Sequence, residues 1–299
     1  MDITALGTSP YADAAVGEIR RLGLQDNIVE LAAYGFTVVP PEKTDTPPDF
    51  TERLRDTVLR IHSDRNDEPI DDYRTATVER AGQNNWWLVE EDDTIVEAIL
   101  NPAALAMARW LCGQSAIMAG GSSIVKPGNE ENRHHLPMHN DNHGVPPPMS
   151  QYAHWCNTSW VLTDYREEED GPTVFIPGSH LFGRAPLNHE ATYWKAESPY
   201  QPVRLQAEPG SLAVWHGATW HGSLPRTKPG LRVTLVLSWM RSYMQGVNQY
   251  QDAIDPALVE RFPELTKVLG LERLFPYQEN EDHHDRLFPL LEAGRDQFA

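Results

Sequence analysis

The sequence predicts a mainly β fold with flanking α-helices, its core a β-sandwich or jelly roll over about residues 115–241. Short β-rich runs follow one another through that stretch, and each is closed by turn-forming residues. Segments with helical periodicity fall before about residue 114 and after about residue 242. The 299 residues are 40% hydrophobic and include nine Trp, ten Tyr and eight Phe, which is enough apolar surface for a packed core. We read the chain as one domain spanning 1–299: a helical N-terminal part (1–114), a β core (115–241) and a helical, charged tail (242–299).

In chain order, Val16, Ile19, Leu22, Ile28 and Leu31 repeat near helical spacing, which predicts a helix over Asp13–Ala33. Gly35–Val39 is a short β-rich run stopped by Pro40-Pro41. Helix returns over Phe50–Ile61 and over Asp93–Leu111, the latter broken at Asn101-Pro102, where proline suits the first turn of a new helix. Strands are expected at Ala116–Val125, Arg133–Asp141, Tyr152–Thr163, Thr173–Ile176, Val203–Ala207, Ser211–Trp215 and Leu231–Met240. Lys126-Pro127-Gly128, Gly144–Pro148, Pro177-Gly178-Ser179, Pro209-Gly210 and Lys228-Pro229-Gly230 read as the turns between them. Glu167–Asp170 reads as a solvated acidic turn.

Bulk properties exclude several classes of function. A net charge of -18 repels phosphate backbones and argues against nucleic-acid binding. No apolar stretch approaches the ~20 residues of a membrane span. Met1–Ala15 lacks the basic flank and apolar centre of a signal peptide. Two cysteines, Cys112 and Cys156, allow one bridge at most and suit a reducing, cytoplasmic setting. The expected partner is a small-molecule substrate, and no motif encodes an oligomeric state.

Chemistry enters with His-x-Asp. On a strand, residues i and i+2 share a face, so both side chains can reach one metal. With twelve histidines, roughly one such triplet arises by chance, and the chain has three. His62-Ser63-Asp64 lies on a helical segment and His283-His284-Asp285 in the polar tail, so His139-Asn140-Asp141 is the candidate. A facial triad needs a third ligand from a distant strand. Among His154, His180, His189, His216 and His221, the last leads through a Pro-Gly turn into a strand bearing Arg232. A guanidinium can grip the far carboxylate of a dicarboxylate through paired charge-assisted hydrogen bonds.

His139-Asn140-Asp141, Asp170-Gly171-Pro172 running into Ile176–His180, and His221-Gly222-Ser223 with Arg232 eleven residues on together resemble the phytanoyl-CoA dioxygenase family, over about residues 35–241. The resemblance implies a double-stranded β-helix, a cupin-like form of jelly roll. It also implies iron(II) as cofactor, with 2-oxoglutarate and dioxygen as cosubstrates. Residue by residue, His139, Asp141 and His221 correspond to the catalytic metal ligands. Arg232 corresponds to the residue holding the 2-oxoglutarate side-chain carboxylate, Ser223 to the hydroxyl beside it, and Trp160 to an aromatic against the cosubstrate. Retention of Asp141 disfavours halogenation, which in relatives needs a small residue there. His216 departs from the family pattern.

Other assignments compete with these. His216 could be the third ligand with His221 a core histidine, and Arg232 could simply pair with an acid. His180 reads as a turn residue, and His134, His135, His143 and His154 as loop or strand-surface positions. Trp86, Trp155 and Arg241 are candidates to line a substrate pocket. Trp86 and Trp155 also fit a core, as do Trp87 and Trp239. The chain has only 25 Lys and Arg and no basic patch for a CoA pyrophosphate. A hydrophobic or amphipathic small molecule, of lipid or natural-product type, is therefore the expected substrate, and hydroxylation the expected reaction. The competing functions are a cupin-like metalloenzyme without 2-oxoglutarate and a non-catalytic jelly-roll binding module.

Overall fold

The computed structural model describes residues 9–79, 82–142, 144–271 and 296–298. Helix α1 (Pro10–Arg21) is capped by Ser9, whose hydroxyl accepts from Ala12 N, and buries Ala15 and Ile19. The single helix expected over 13–33 is two. Gly23, at φ +67°, ends the first, and α2 (Gln25–Tyr34) restarts two residues later. β1 (Phe36–Val39) follows, then α3 (Phe50–Asn66), which runs a turn beyond its expected end. The break at Asn101-Pro102 separates α4 (Asp93–Ile99) from α5 (Pro102–Cys112). Asn101 accepts from Ala103 N and Ala104 N while donating to Thr44 O, so a buried helix start is satisfied from both sides.

Among the described residues, ten strands build two antiparallel sheets. β2 (Gly82–Trp86) and β3 (Ile117–Pro127) form one edge of a six-stranded sheet ordered β1-β8-β5-β10-β3-β2, completed by β5 (Trp155–Val161), β8 (Leu212–His216) and β10 (Leu231–Met240). β4 (Leu136–His139), β6 (Thr173–Phe175), β7 (Val203–Arg204) and β9 (His221–Ser223) form a four-stranded sheet ordered β4-β9-β6-β7. This is the expected jelly-roll architecture. β2 was not anticipated, because Gly-Gln-Asn-Asn carries almost no strand propensity; pairing with β3 holds it in place.

Both faces of the large sheet are buried, and strand alternation divides them. Leu231, Val233, Leu235, Leu237 and Trp239 of β10 join Cys156 and Trp160 of β5 against Phe50, Leu54 and Val58 of α3 and the alanines of α5. The opposite face turns Val161, Ala213, Trp215 and Val236 toward Phe175 of the small sheet. The cavity lies between the sheets, on that inner face. Cys112 and Cys156 are buried and unbridged, their sulfurs 3.6 Å apart.

After β10, helices α6 (Pro256–Arg261) and α7 (Leu265–Val268) begin the tail. His283-His284-Asp285 lies outside the described residues, as does His143. Among the described residues no single helix is long and apolar enough to cross a membrane.

Candidate functional site

Register brings the two histidines together. β4 pairs with β9 so that His139 stands opposite His221, their ring centroids 4.2 Å apart. Gly222 makes this approach feasible: a Cβ there would lie 2.4 Å from the Leu136 carbonyl oxygen of the neighbouring strand. Asp141 follows β4 by two residues, and its N–H donates to Gly217 O at 2.8 Å. The carboxylate thus faces both imidazoles, with Oδ1 3.7 Å from His139 Nε2 and Oδ2 3.3 Å from His221 Nε2.

Ligand atoms of His139, Asp141 and His221 lie within 4.8 Å of one another. Each imidazole directs Nδ1 at the carbonyl two residues back, His139 to Pro137 O at 2.9 Å and His221 to Thr219 O at 3.0 Å. With Nδ1 protonated as the donor, Nε2 is left as a neutral lone-pair donor aimed at the carboxylate, the form a metal requires. Two nitrogens and one carboxylate on one side of a point fit an octahedral iron(II) facial triad.

The inner end of the cavity is cationic. Arg232 is almost fully buried on β10, directly opposite Lys126 of β3. Its Nη1 donates to Gly171 O and, at 3.1 Å, to Ser223 Oγ. Its Nε has no partner among the described residues. Lys126 Nζ donates to the same Ser223 Oγ at 3.0 Å and to Leu224 O. Burial pushes the Lys126 ammonium down to about 6, and the positive charges of Arg232 and Arg226 push the same way. A buried guanidinium with an unpartnered N–H, beside an ammonium it disfavours, is a pocket prepared for an anion. Tyr165 supplies the wall: the Arg232 guanidinium sits 5.2 Å over its ring, and its hydroxyl meets Thr234 Oγ1 at 2.6 Å.

Between these two ends runs a cavity of about 210 Å³, lined by His139, Asp141, His221, Ser223, Arg232 and Tyr165 among others. Trp86, Trp155, Leu136, Ile124 and Val247 provide apolar walls. Arg232 is the one lysine or arginine among the described lining residues.

Several expectations need correction. Trp160 does not reach the cavity. It lies on the helix-facing side of β5, donates its indole N–H to Ala98 O at 3.2 Å, and packs edge-on against Phe50 at 5.0 Å. Arg241 does not line the pocket either; its Nε donates to Ala153 O and its Nη2 to Leu111 O and Gln297 O. His216 faces away from the triad. Its Nδ1 accepts from Ala218 N, its ring lies 5.5 Å from that of His180, and burial holds its pKa down to about 3. Asp170, expected in a solvated turn, is buried and accepts from the N–H groups of Arg166 and Glu167 and from the Lys228 ammonium. His62, set aside on sequence grounds, is buried in α3 as expected, its Nε2 3.0 Å from Glu68 just beyond the helix.

Lys126 and Tyr165 were missed. From sequence Lys126 reads as a turn residue, whereas it is the penultimate residue of β3. Alternation from Ser122 through Ile124 to Lys126 was the available signal.

The phytanoyl-CoA dioxygenase family profile matches residues 32–234. No curated protein matches the chain in sequence. Among solved structures, the epimerase SnoN in complex with Fe3+, alpha ketoglutarate and nogalamycin RO is 16% identical; the alignment covers 74% of this chain and 84% of SnoN at a TM-score of 0.56. HygX from Streptomyces hygroscopicus, with nickel and 2-oxoglutarate bound, is 15% identical over 78% of this chain and 93% of its own, at 0.57. AviO1 from Streptomyces viridochromogenes Tue57 is 22% identical over 75% and 97%, at 0.54. At these identities the three share the fold.

Proposed function

Because the chain belongs to the phytanoyl-CoA dioxygenase family, we propose that it is an iron(II)- and 2-oxoglutarate-dependent dioxygenase that hydroxylates a neutral, hydrophobic or amphipathic small molecule of lipid or natural-product type. The observation that carries this reading is one cavity with a His-Asp-His cluster in its wall and a buried, incompletely bonded guanidinium at its inner end. That arrangement matches a cosubstrate with a chelating head and an anionic tail.

His139, Asp141 and His221 would hold the iron, and 2-oxoglutarate with dioxygen supplies the oxidising power that attack on an unactivated C–H bond needs, leaving succinate and carbon dioxide. The chain's own residues bind and orient. Arg232 receives the distal carboxylate through Nε and Nη, with Ser223 beside it and Lys126 behind Ser223, bonded to its Oγ. Tyr165 and Thr234 pack along the cosubstrate's methylenes. Trp86, Trp155, Leu136 and Val247 enclose the substrate and exclude water, which keeps the oxidant directed at substrate carbon. With no lysine or arginine among the described residues of these outer walls, an acyl-CoA would find no partner for its phosphates from them. A cytoplasmic location fits the unbridged thiols.

The test is anaerobic loading with iron(II), then measurement of succinate formed from 2-oxoglutarate with oxygen. We expect turnover that disappears in His139→Ala and Asp141→Ala, and a large rise in the 2-oxoglutarate KM in Arg232→Ala. Unchanged succinate release in either metal-site variant would refute the assignment.

A further inference from the structure

Asp141 is held by more than its backbone. Its Oδ2 accepts two hydrogen bonds, from Asn157 Nδ2 at 2.7 Å and from Trp215 Nε1 at 3.2 Å. Asn157 is itself oriented, since Ser238 Oγ donates to its Oδ1 at 2.6 Å. The three residues form a single row across the large sheet. Trp215 of β8 pairs with Asn157 of β5, and Asn157 pairs with Ser238 of β10. All three line the cavity. The Ser238 bond decides which way the amide points: reversal would turn its oxygen onto the carboxylate and its NH2 away.

We propose that Asn157 and Trp215 are positioning residues that hold Asp141 as a one-armed ligand through Oδ1, with Ser238 setting the orientation of Asn157. A carboxylate oxygen has two in-plane lone pairs. Two N–H donors already bond Oδ2, the oxygen that also lies 3.3 Å from His221 Nε2, and a metal approaching it would compete with them, whereas Oδ1, 3.7 Å from His139 Nε2, carries neither donor. The consequence is a count of coordination positions. A one-armed aspartate with two imidazoles leaves three of six positions open, whereas a two-armed aspartate leaves two. A chelating cosubstrate needs two, so the donor pair preserves the third. This rests on the metal-centre reading above and adds residues that the His-x-Asp…His pattern does not contain.

The test uses the purified full-length chain loaded with Mn(II) in place of iron. Affinity is read by metal titration, and open positions by water-proton relaxation of the Mn(II)-loaded protein. Circular dichroism and melting temperature serve as the fold control. Asn157→Leu is expected to weaken Mn(II) binding by about 10–100-fold and to lower relaxivity per bound ion by about a third, as three exchangeable waters become two. Ser238→Ala should move both readouts in the same direction by less, Ser238→Thr should restore them, and Trp215→Phe should resemble Ser238→Ala. Wild-type affinity and relaxivity in a folded Asn157→Leu protein overturn the proposal. If that variant does not fold, wild-type values in both Ser238→Ala and Trp215→Phe overturn it equally. A wild-type chain that binds no Mn(II) overturns the metal-centre reading and this proposal with it, whereas loss of Arg232-dependent 2-oxoglutarate binding alone leaves it standing.

Discussion

Replacing Lys126 with methionine should make the protein more stable and worse at holding its cosubstrate. In the folded chain burial, reinforced by Arg232 and Arg226, brings the ammonium down to about 6 from an ordinary 10.5. At pH 7.5 the unfolded chain therefore binds a proton at this position that the native chain does not, and stability rises with pH between about 6 and 10.5. The proton excess corresponds to an upper bound of about 4 kcal/mol against the fold at pH 7.5, at about 1.4 kcal/mol per pH unit. Two hydrogen bonds, to Ser223 Oγ and Leu224 O, offset it by about 1 kcal/mol each. Lys126→Met should thus stabilise the metal-free protein by about 2 kcal/mol, or about 4 °C in melting temperature, and flatten its stability between pH 6 and 9. Binding shows the reverse sign. A carboxylate bound beside Lys126 favours the charged form, so the wild type takes up a proton with 2-oxoglutarate, and its affinity falls as pH rises above about 6. Calorimetry of the Ni(II)-loaded protein, in two buffers of different ionisation enthalpy, counts that proton. The variant should bind 2-oxoglutarate about tenfold more weakly, because Lys126 acts on the carboxylate as a nearby charge behind Ser223, and with no proton uptake. A variant that melts lower than wild type, or keeps its cosubstrate affinity and pH slope, would show the reasoning about Lys126 to be wrong.

Trp160→Leu should cost about 2–4 kcal/mol in chemical denaturation through the cavity it opens against Phe50 and α4, while leaving the 2-oxoglutarate KM within about twofold of wild type. Gly222→Ala should push β9 off β4, because the new methyl would meet Leu136 O; we expect a loss of about 1–3 kcal/mol and at least about tenfold weaker metal binding by titration. Arg232→Lys keeps the charge and loses the planar fork, so the cosubstrate KM should rise about 10–100-fold with kcat at saturation largely retained. His216 has a folded pKa held near 3 by burial, below its unfolded value. The native state loses stability as pH falls from 6.5 toward 3, and His216→Leu should flatten that acid limb in a denaturation series over pH 3–7.

The fold class was legible because its signals are local. Turn formers and β-branched runs marked most strands of the core, and Asn101-Pro102 marked the helix break at the right residue. The His-Asp-His cluster was legible because His139 and Asp141 are neighbours in sequence and His221 precedes an arginine at a telling spacing. What escaped was decided by strand parity and tertiary pairing. Trp160 and Asn157 sit three residues apart on β5, and their residue types alone favour the tryptophan as a cosubstrate contact. Counting alternation from Trp155, which lines the cavity, puts Asn157 and Ser159 inside and Trp160 outside. Lys126 was hidden because Lys-Pro-Gly reads as a turn, and only the Arg232 pairing shows that the strand continues. Arg241 was misplaced for another reason. A guanidinium after the last strand has the chemistry for a pocket mouth, but three backbone carbonyls claim it. β2 has no sequence signal, since its strand is imposed by its partner.

Parity also explains how a sheet buried on both sides can carry a polar site without losing its core. On β10, Leu231, Val233, Leu235 and Leu237 face the helices, and Arg232, Thr234, Val236 and Ser238 face the cavity. The first set is wholly apolar and contacts α3 and α5, so its energy comes from area removed from water. Of the second set, Arg232, Thr234 and Ser238 each bond a polar partner: Ser223, Tyr165 and Asn157 respectively. Desolvation is therefore answered bond by bond along the strand, apart from Arg232 Nε and the cationic excess around it. The exception falls where an anionic cosubstrate would complete the set. Substitutions on odd-numbered positions of β10 should accordingly move stability and leave cosubstrate binding nearly unchanged, and those on Arg232, Thr234 and Ser238 should do the opposite. A scan of Val233→Ala, Leu235→Ala and Leu237→Ala against Arg232→Ala, Thr234→Val and Ser238→Ala would separate the two faces. A Leu235→Ala variant that is stable but cannot bind 2-oxoglutarate would contradict the division of labour.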